Sequence, residues 1–133
     1  MLLTEEQQSV QEMARRFAQE RLAPNAERWD RDHHYPADAI AEMAQLGFFG
    51  MLVPEDWDGN DSGYVSYAVA LEEIAAGNGA CSTIMSVHNS VACMPILKFG
   101  TDAQKERFLR PLARGEHIGA FALTEPQAGS DAS

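Results

Sequence analysis

Thr124, Gly129 and Ser130 lie close together near the C-terminal end of the chain, in the stretch FALTEPQAGSDAS from Phe121 to Ser133. Their types suit a planar polar ligand that carries a phosphate. The Thr124 hydroxyl donates or accepts, and Gly129 lets backbone approach a ligand with no Cβ in the way. Ser130 offers a hydroxyl and an amide to a phosphate oxygen. At the end of a strand the amides and carbonyls of Ala122, Leu123 and Thr124 are free to face such a ligand, because no neighbouring strand has to pair with them. Pro126 then turns the chain out of a sheet. On residue chemistry alone the same stretch reads equally well as an ordinary exit from a strand into a loop.

The elements that must hold this stretch are helical. Thr4-Glu5-Glu6-Gln7 forms a capping box, followed by Val10, Met13, Ala14, Phe17 and Ala18 at helical spacing. Pro24 disfavours helical geometry in the residue before it, so the first helix is expected to fade near Leu22 and a short second one to run to about His33. Pro36 opens the next helix, with Ile40, Met43, Ala44 and Leu46 as its stripe and Gly47 as its stop. Phe48 to Val53 reads as a buried connector and PEDWDGNDSG as a loop. Tyr64 to Ala76 is a further helix, ended by Gly77-Asn78-Gly79. Ala80 to Phe99 is a long, largely buried one that Pro95 kinks or breaks. Thr101-Asp102-Ala103-Gln104 is a second capping box, its helix reaching about Leu109 before a short turn that ends at Gly115. After Gly115 the period changes, and Ile118, Phe121 and Leu123 among small residues read as a strand. The expected fold is therefore mainly α, a bundle of about six helices over residues 1–116, with residues 117–133 opening something else.

A length of 133 residues fits one domain, and a domain of this size buries roughly two-thirds of its unfolded surface. The formal net charge of −10 argues against nucleic acid as a partner and against anionic membrane surfaces. The longest apolar run, Phe48 to Val53, falls far short of the ~20 residues a spanning helix needs. MLLTEEQQ lacks the basic flank and apolar stretch of a signal peptide, and the expected location is cytoplasmic. Cys81 and Cys93 on one helix would stand about 18 Å apart, too far to bridge, and read as buried free thiols.

Other constellations carry less. Asp56, Asp58, Asn60 and Asp61 suggest a calcium loop, but Asp61 falls where such a loop needs glycine and Tyr67 where it needs glutamate. A solvated turn is the expectation. His33-His34, His88 and His117 lack ligand-spaced partners, so no metal site is expected. Ser82, Ser86 and Ser90 lack the glycine-flanked elbow of a hydrolase nucleophile. Ser86, His88, Asn89 and Ser90 are polar residues inside an otherwise apolar helix. They either satisfy neighbouring backbone or face a ligand pocket.

The stretch from Ala122 to Ser133 resembles the flavin-binding signature of the acyl-CoA dehydrogenases, with Thr-Glu followed by Gly-Ser-Asp at fixed spacing. Leu71-Glu72-Glu73-Ile74-Ala75, Ser86-Val87-His88-Asn89-Ser90, Lys98-Phe99-Gly100-Thr101 and Gln104-Lys105 resemble the family's N-terminal helical domain. The resemblance thus covers nearly the whole chain. It implies an orthogonal helical bundle followed by the first strand of a middle β-domain, here truncated, with a C-terminal four-helix domain beyond. It also implies FAD as cofactor, acyl-CoA as substrate, an electron-transferring flavoprotein as acceptor and a homotetramer. On this pattern Phe121, Ala122, Leu123, Thr124, Gly129 and Ser130 line the flavin. Backbone near Leu123 and the Thr124 hydroxyl would meet the isoalloxazine ring, and Ser130 the pyrophosphate and the acyl-CoA. Ser86 would lie beside the acyl pocket.

The reaction so implied is α-proton removal by a glutamate with β-hydride transfer to flavin. The base glutamate belongs to the C-terminal domain, beyond Ser133, so no catalytic residue is expected in this chain and residues 1–133 alone should be inactive. The wording around Ser86 is most similar to members acting on short or branched-short acyl chains, as in fatty acid or amino acid catabolism. The family usually carries a glycine-richer loop where this chain has Asp58 and Asn60-Asp61, which leaves that loop's geometry open. Two rivals remain: a related acyl-CoA oxidase or flavin monooxygenase, and a non-catalytic helical interaction module. An adaptor would have no need of Thr124 and Gly129-Ser130.

Overall fold

The computed structural model describes residues 2–131. Five continuous helices carry the described fold: α1 over residues 5–31, α2 over Ala37–Gln45, α3 over Gly63–Gly77, α4 over Gly79–Phe99 and α5 over residues 102–113. A short 3-10 turn, Glu55–Trp57, lies between α2 and α3.

The expected breaks at Pro24 and after Leu109 do not occur, and Pro95, expected to kink or break its helix, leaves it continuous, so the described residues form five helices and not about six. At each proline a π-helical stretch ends two residues earlier: Ala18–Leu22 before Pro24, His88–Cys93 before Pro95, and Lys105–Leu109 before Pro111. The Ala23 amide reaches back to the Ala18 carbonyl and the Arg110 amide to the Lys105 carbonyl, five residues instead of four. Proline has no amide hydrogen, and its ring crowds the carbonyl four residues before it. The wider turn moves that carbonyl aside, so the helix continues.

Both capping boxes form. The Thr4 amide donates to Gln7 Oε1 at 3.0 Å and the Gln7 amide to Thr4 Oγ1 at 3.2 Å. Thr101 and Gln104 repeat the exchange at 2.8 and 3.3 Å at the start of α5. Asn78 separates α3 from α4, and its side chain accepts from the Cys81 amide at 2.9 Å.

The main core gathers Ala14, Phe17 and Leu22 of α1, Ile40 and Met43 of α2, Ile74 of α3 and Met85 of α4 around Phe48 and Phe49 of the connector. A smaller cluster joins Val53, Cys93, Leu109 and Leu112. At Gly77 a Cβ would stand 2.8 Å from that of Ala18, so glycine lets the end of α3 close on the π-helical part of α1. Arg15 pairs with Glu73, and Arg21 with Glu42, across the outside of the bundle. Those guanidinium hydrogen bonds hold both carboxyls below the usual range.

By length and mean hydropathy (1.2) α4 would suffice to cross a membrane, although no uninterrupted apolar run suggests it. One face of it, with Cys81, Met85, His88, Asn89, Ala92 and Cys93, is buried against the rest of the bundle, but only 33% of its apolar stretch is buried, less than the largely buried helix expected.

No strand is present among the described residues, contrary to the expectation for the segment from His117 onward. The sole pairing there is an isolated bridge between Glu125 and Ala128, closed by amide-to-carbonyl bonds of 2.9 and 3.1 Å around Pro126-Gln127. A strand needs a second strand to exchange hydrogen bonds with, and the described residues supply none.

Candidate functional site

The sequence-predicted cofactor residues are exposed in two groups, 121–124 and 129–130, on either side of the turn closed by Glu125 and Ala128. Phe121 and Leu123 are 53% and 56% exposed, and Ala122, Thr124, Gly129 and Ser130 are exposed as well. Ala132 and Ser133, the end of the signature, lie outside the described residues. A Cβ on Gly129 would meet nothing within 4 Å, and its φ is not in the left-handed region. Nothing among the described residues demands a glycine there, which fits a position kept bare for something outside the chain. Glu125 is exposed in the turn and accepts from Gln127 Nε2 at 3.3 Å.

Among the described residues the segment leading to the strip 121–130 is tied to the helices through His88, for which the sequence left two readings open. His88 is fully buried in the π-helical part of α4. Its Nε2 lies 3.0 Å from the Leu112 carbonyl, and its Nδ1 accepts from the Gly119 amide at 3.0 Å. A carbonyl only accepts, so the proton must sit on Nε2, and the ring is neutral with both nitrogens used. Burial lowers its pKa, with the carbonyls of Leu112 and Phe49 working in the opposite direction. The Phe49 ring packs on the imidazole at 4.8 Å between centroids. Next to it, Asn89 Nδ2 donates to the Phe48 carbonyl at 2.8 Å and to Met85 at 3.0 Å, pinning the connector to α4. Of the two readings for these polar helix residues, His88 and Asn89 take the first: they satisfy backbone. The signal was a His-Asn pair in an apolar helix.

Ser86 sits apart from the strip. It is half-buried, in an open groove of about 480 Å³ between α3 and α4 lined also by Ala68, Leu71, Ser82, Thr83 and Val87. None of residues 121–130 lines that groove. The structure therefore does not bring Ser86 and Ser130 together. Cys81 and Cys93 are free and buried, as expected, and burial pushes their thiols up to about 11 and about 12. Thiols held so high stay protonated and unreactive.

The acidic loop is more than a solvated turn. Asp58 accepts from Arg110 Nη1 at 2.8 Å and from Arg114 Nη1 at 2.6 Å, which anchors the loop to α5. Asp58 and Asp61 have φ of +64° and +43°. These left-handed positions favour glycine and tolerate aspartate, so loop geometry survives the departure from a glycine-richer pattern.

The family model described as "Acyl-CoA dehydrogenase, N-terminal domain" matches residues 4–116, and the chain belongs to this family. It is 43% identical over 130 residues to the mitochondrial short-chain specific acyl-CoA dehydrogenase of Bos taurus, covering 98% of this chain and 32% of that one. Butyryl-CoA dehydrogenase from Megasphaera elsdenii superposes with a TM-score of 0.91 at 38% identity, over 99% of this chain and 35% of that one. An acyl-CoA dehydrogenase complexed with FAD from Bacillus anthracis gives 0.84 at 30% identity, over 98% and 22%. The chain thus spans about a third of the length of the curated relatives it matches.

Proposed function

We propose that the full-length protein carrying this chain is an FAD-dependent acyl-CoA dehydrogenase that converts a short or branched-short acyl-CoA to its 2-enoyl-CoA. The observation that carries this reading is the exposed strip Phe121–Ser130, which joins apolar side chains, a threonine hydroxyl and a structurally unneeded glycine. The donor set fits a flavin. Backbone at Ala122–Leu123 and the Thr124 hydroxyl would hold the ring, and Ser130 would hold the diphosphate. When bound, FAD supplies the hydride acceptor.

This chain's residues bind and orient; the proton-abstracting glutamate belongs to the rest of the protein. Glu125, exposed in its turn, is not suited to that role, because a general base for an α-proton works best desolvated. The short-chain lean is supported by the names of the bovine and Megasphaera relatives. An electron-transferring flavoprotein as acceptor and a homotetramer complete the proposal.

The test is a visible spectrum of the full-length protein, then titration with acyl-CoAs of graded length. A yellow protein bleached by butyryl-CoA or isobutyryl-CoA more readily than by palmitoyl-CoA is expected. A colourless protein that refuses FAD would overturn the reading, and preference for palmitoyl-CoA would reject the chain-length part.

A further inference from the structure

The path from the helical core to the exposed strip narrows to one residue, Gly119, held in two independent ways. A Cβ there would stand 2.4 Å from that of Ala92 and 3.4 Å from Leu112 Cδ2, so the backbone lies directly against α4 beside α5. Its amide donates to His88 Nδ1 at 3.0 Å. Ala92 and His88 both belong to the π-helical stretch His88–Cys93, and His88 also reaches the Leu112 carbonyl of α5. One buried side chain thus joins α4, α5 and the segment that leads to Phe121.

We propose that His88 is a positioning residue, a latch whose neutral Nε2–H tautomer seats Gly119 on the core and thereby sets the place of the strip 121–130, and which opens when the ring is protonated. The part concerning flavin rests on the function proposed above. A proton on Nδ1 removes the only acceptor that ring offers to the Gly119 amide and sets two N–H groups against each other. The groups meeting the ring are the Leu112 and Phe49 carbonyls, the Gly119 amide and the Phe49 ring. The connector 48–53 carries no titratable side chain. On α5 and just after it, Arg110 and Arg114 pair with Asp58, Glu106 and Glu116, while Glu116 and His117 are exposed. On α4 the Cys93 thiol is held neutral by burial. The lowered pKa of His88 arises from desolvation, with no charged side chain contributing.

Hydrogen exchange at the Gly119 amide of the chain, followed by NMR from pH 8 to pH 5, tests the latch. The wild type should show protection of at least tenfold above pH 7, persisting through the ordinary histidine value of 6.5 and falling away only at lower pH, because burial lowers the pKa of the folded ring. In H88N the side-chain oxygen sits where Nδ1 was and does not titrate, so protection should persist across the range. Unprotected Gly119 above pH 7, or wild-type protection as flat with pH as that of H88N, would overturn the proposal. In the full-length protein, G119A should lose FAD at least tenfold faster than wild type, and the double variant A92G/G119A, which removes the opposing methyl, should recover most of the difference. Unchanged FAD retention in G119A would also overturn it. A wild-type protein that binds no FAD would sink the functional reading while the exchange measurement still decides the latch.

Discussion

Gly119 and Gly129 belong to the same segment and are required by different things. A Cβ on the first would collide with Ala92, whereas one on the second would meet nothing within 4 Å. The contrast extends to the regions around them. Up to Gly119 the chain closes on itself: Phe48 and Phe49 are fully buried, and His88 and Asn89 are buried with hydrogen bonds to backbone. Phe121, Leu123, Thr124 and Ser130, by contrast, are exposed. The buried packing thus lies in the first region, and the proposed binding residues lie in the second. Substitutions should therefore divide cleanly between unfolding and binding.

The largest effect should come from Phe49→Ala, since that ring is fully buried and packs on His88. A loss of ~3–5 kcal/mol in unfolding free energy is expected from urea titration. Asn89→Ala should cost about 1–3 kcal/mol, because it strips the Phe48 carbonyl of its buried donor. A loss under ~0.5 kcal/mol at either site would break the division, since it would place the core's stability elsewhere. Thr101→Ala should remove the cap of α5 and lower stability by ~1 kcal/mol.

Acidification should act on the helical region in two steps. His88 has its folded pKa depressed below 6.5, so the unfolded chain takes up a proton first, and the urea midpoint should decline as pH falls below 6.5. Glu42 and Glu73, held below their ordinary 4.5 by Arg21 and Arg15, stabilise the fold above 4.5 and lose that contribution as pH falls through their folded values. A midpoint flat between pH 7 and pH 5 would count against the burial of a neutral His88.

The smallest change in stability is expected from Leu123→Asp. The chain should unfold within ~0.5 kcal/mol of wild type, while the full-length protein should retain FAD poorly. A destabilised chain would show that the strip packs on the core after all.

Much of this was legible in residue order. Both capping boxes, the stop at Gly47 and the buried connector depend on groups a few residues apart, and the structure has them where the pattern puts them. Pro24 misled, because proline's effect depends on whether the preceding turn can widen, and there it does, as it does before Pro95 and Pro111. The expected strand at 117–124 misled for another reason. Its apolar residues have the type of a strand, but strandhood is a property of a pair.

The sequence by itself determined the helical class, both capping boxes and membership of the family, because these rest on the order and types of residues along the chain. Only the tertiary structure decided that α1, α4 and α5 run unbroken, that Asp58 grips two arginines, and that His88 fastens Gly119. Such contacts join residues far apart in the chain, and local spacing holds no record of which carbonyl or amide a folded helix will meet.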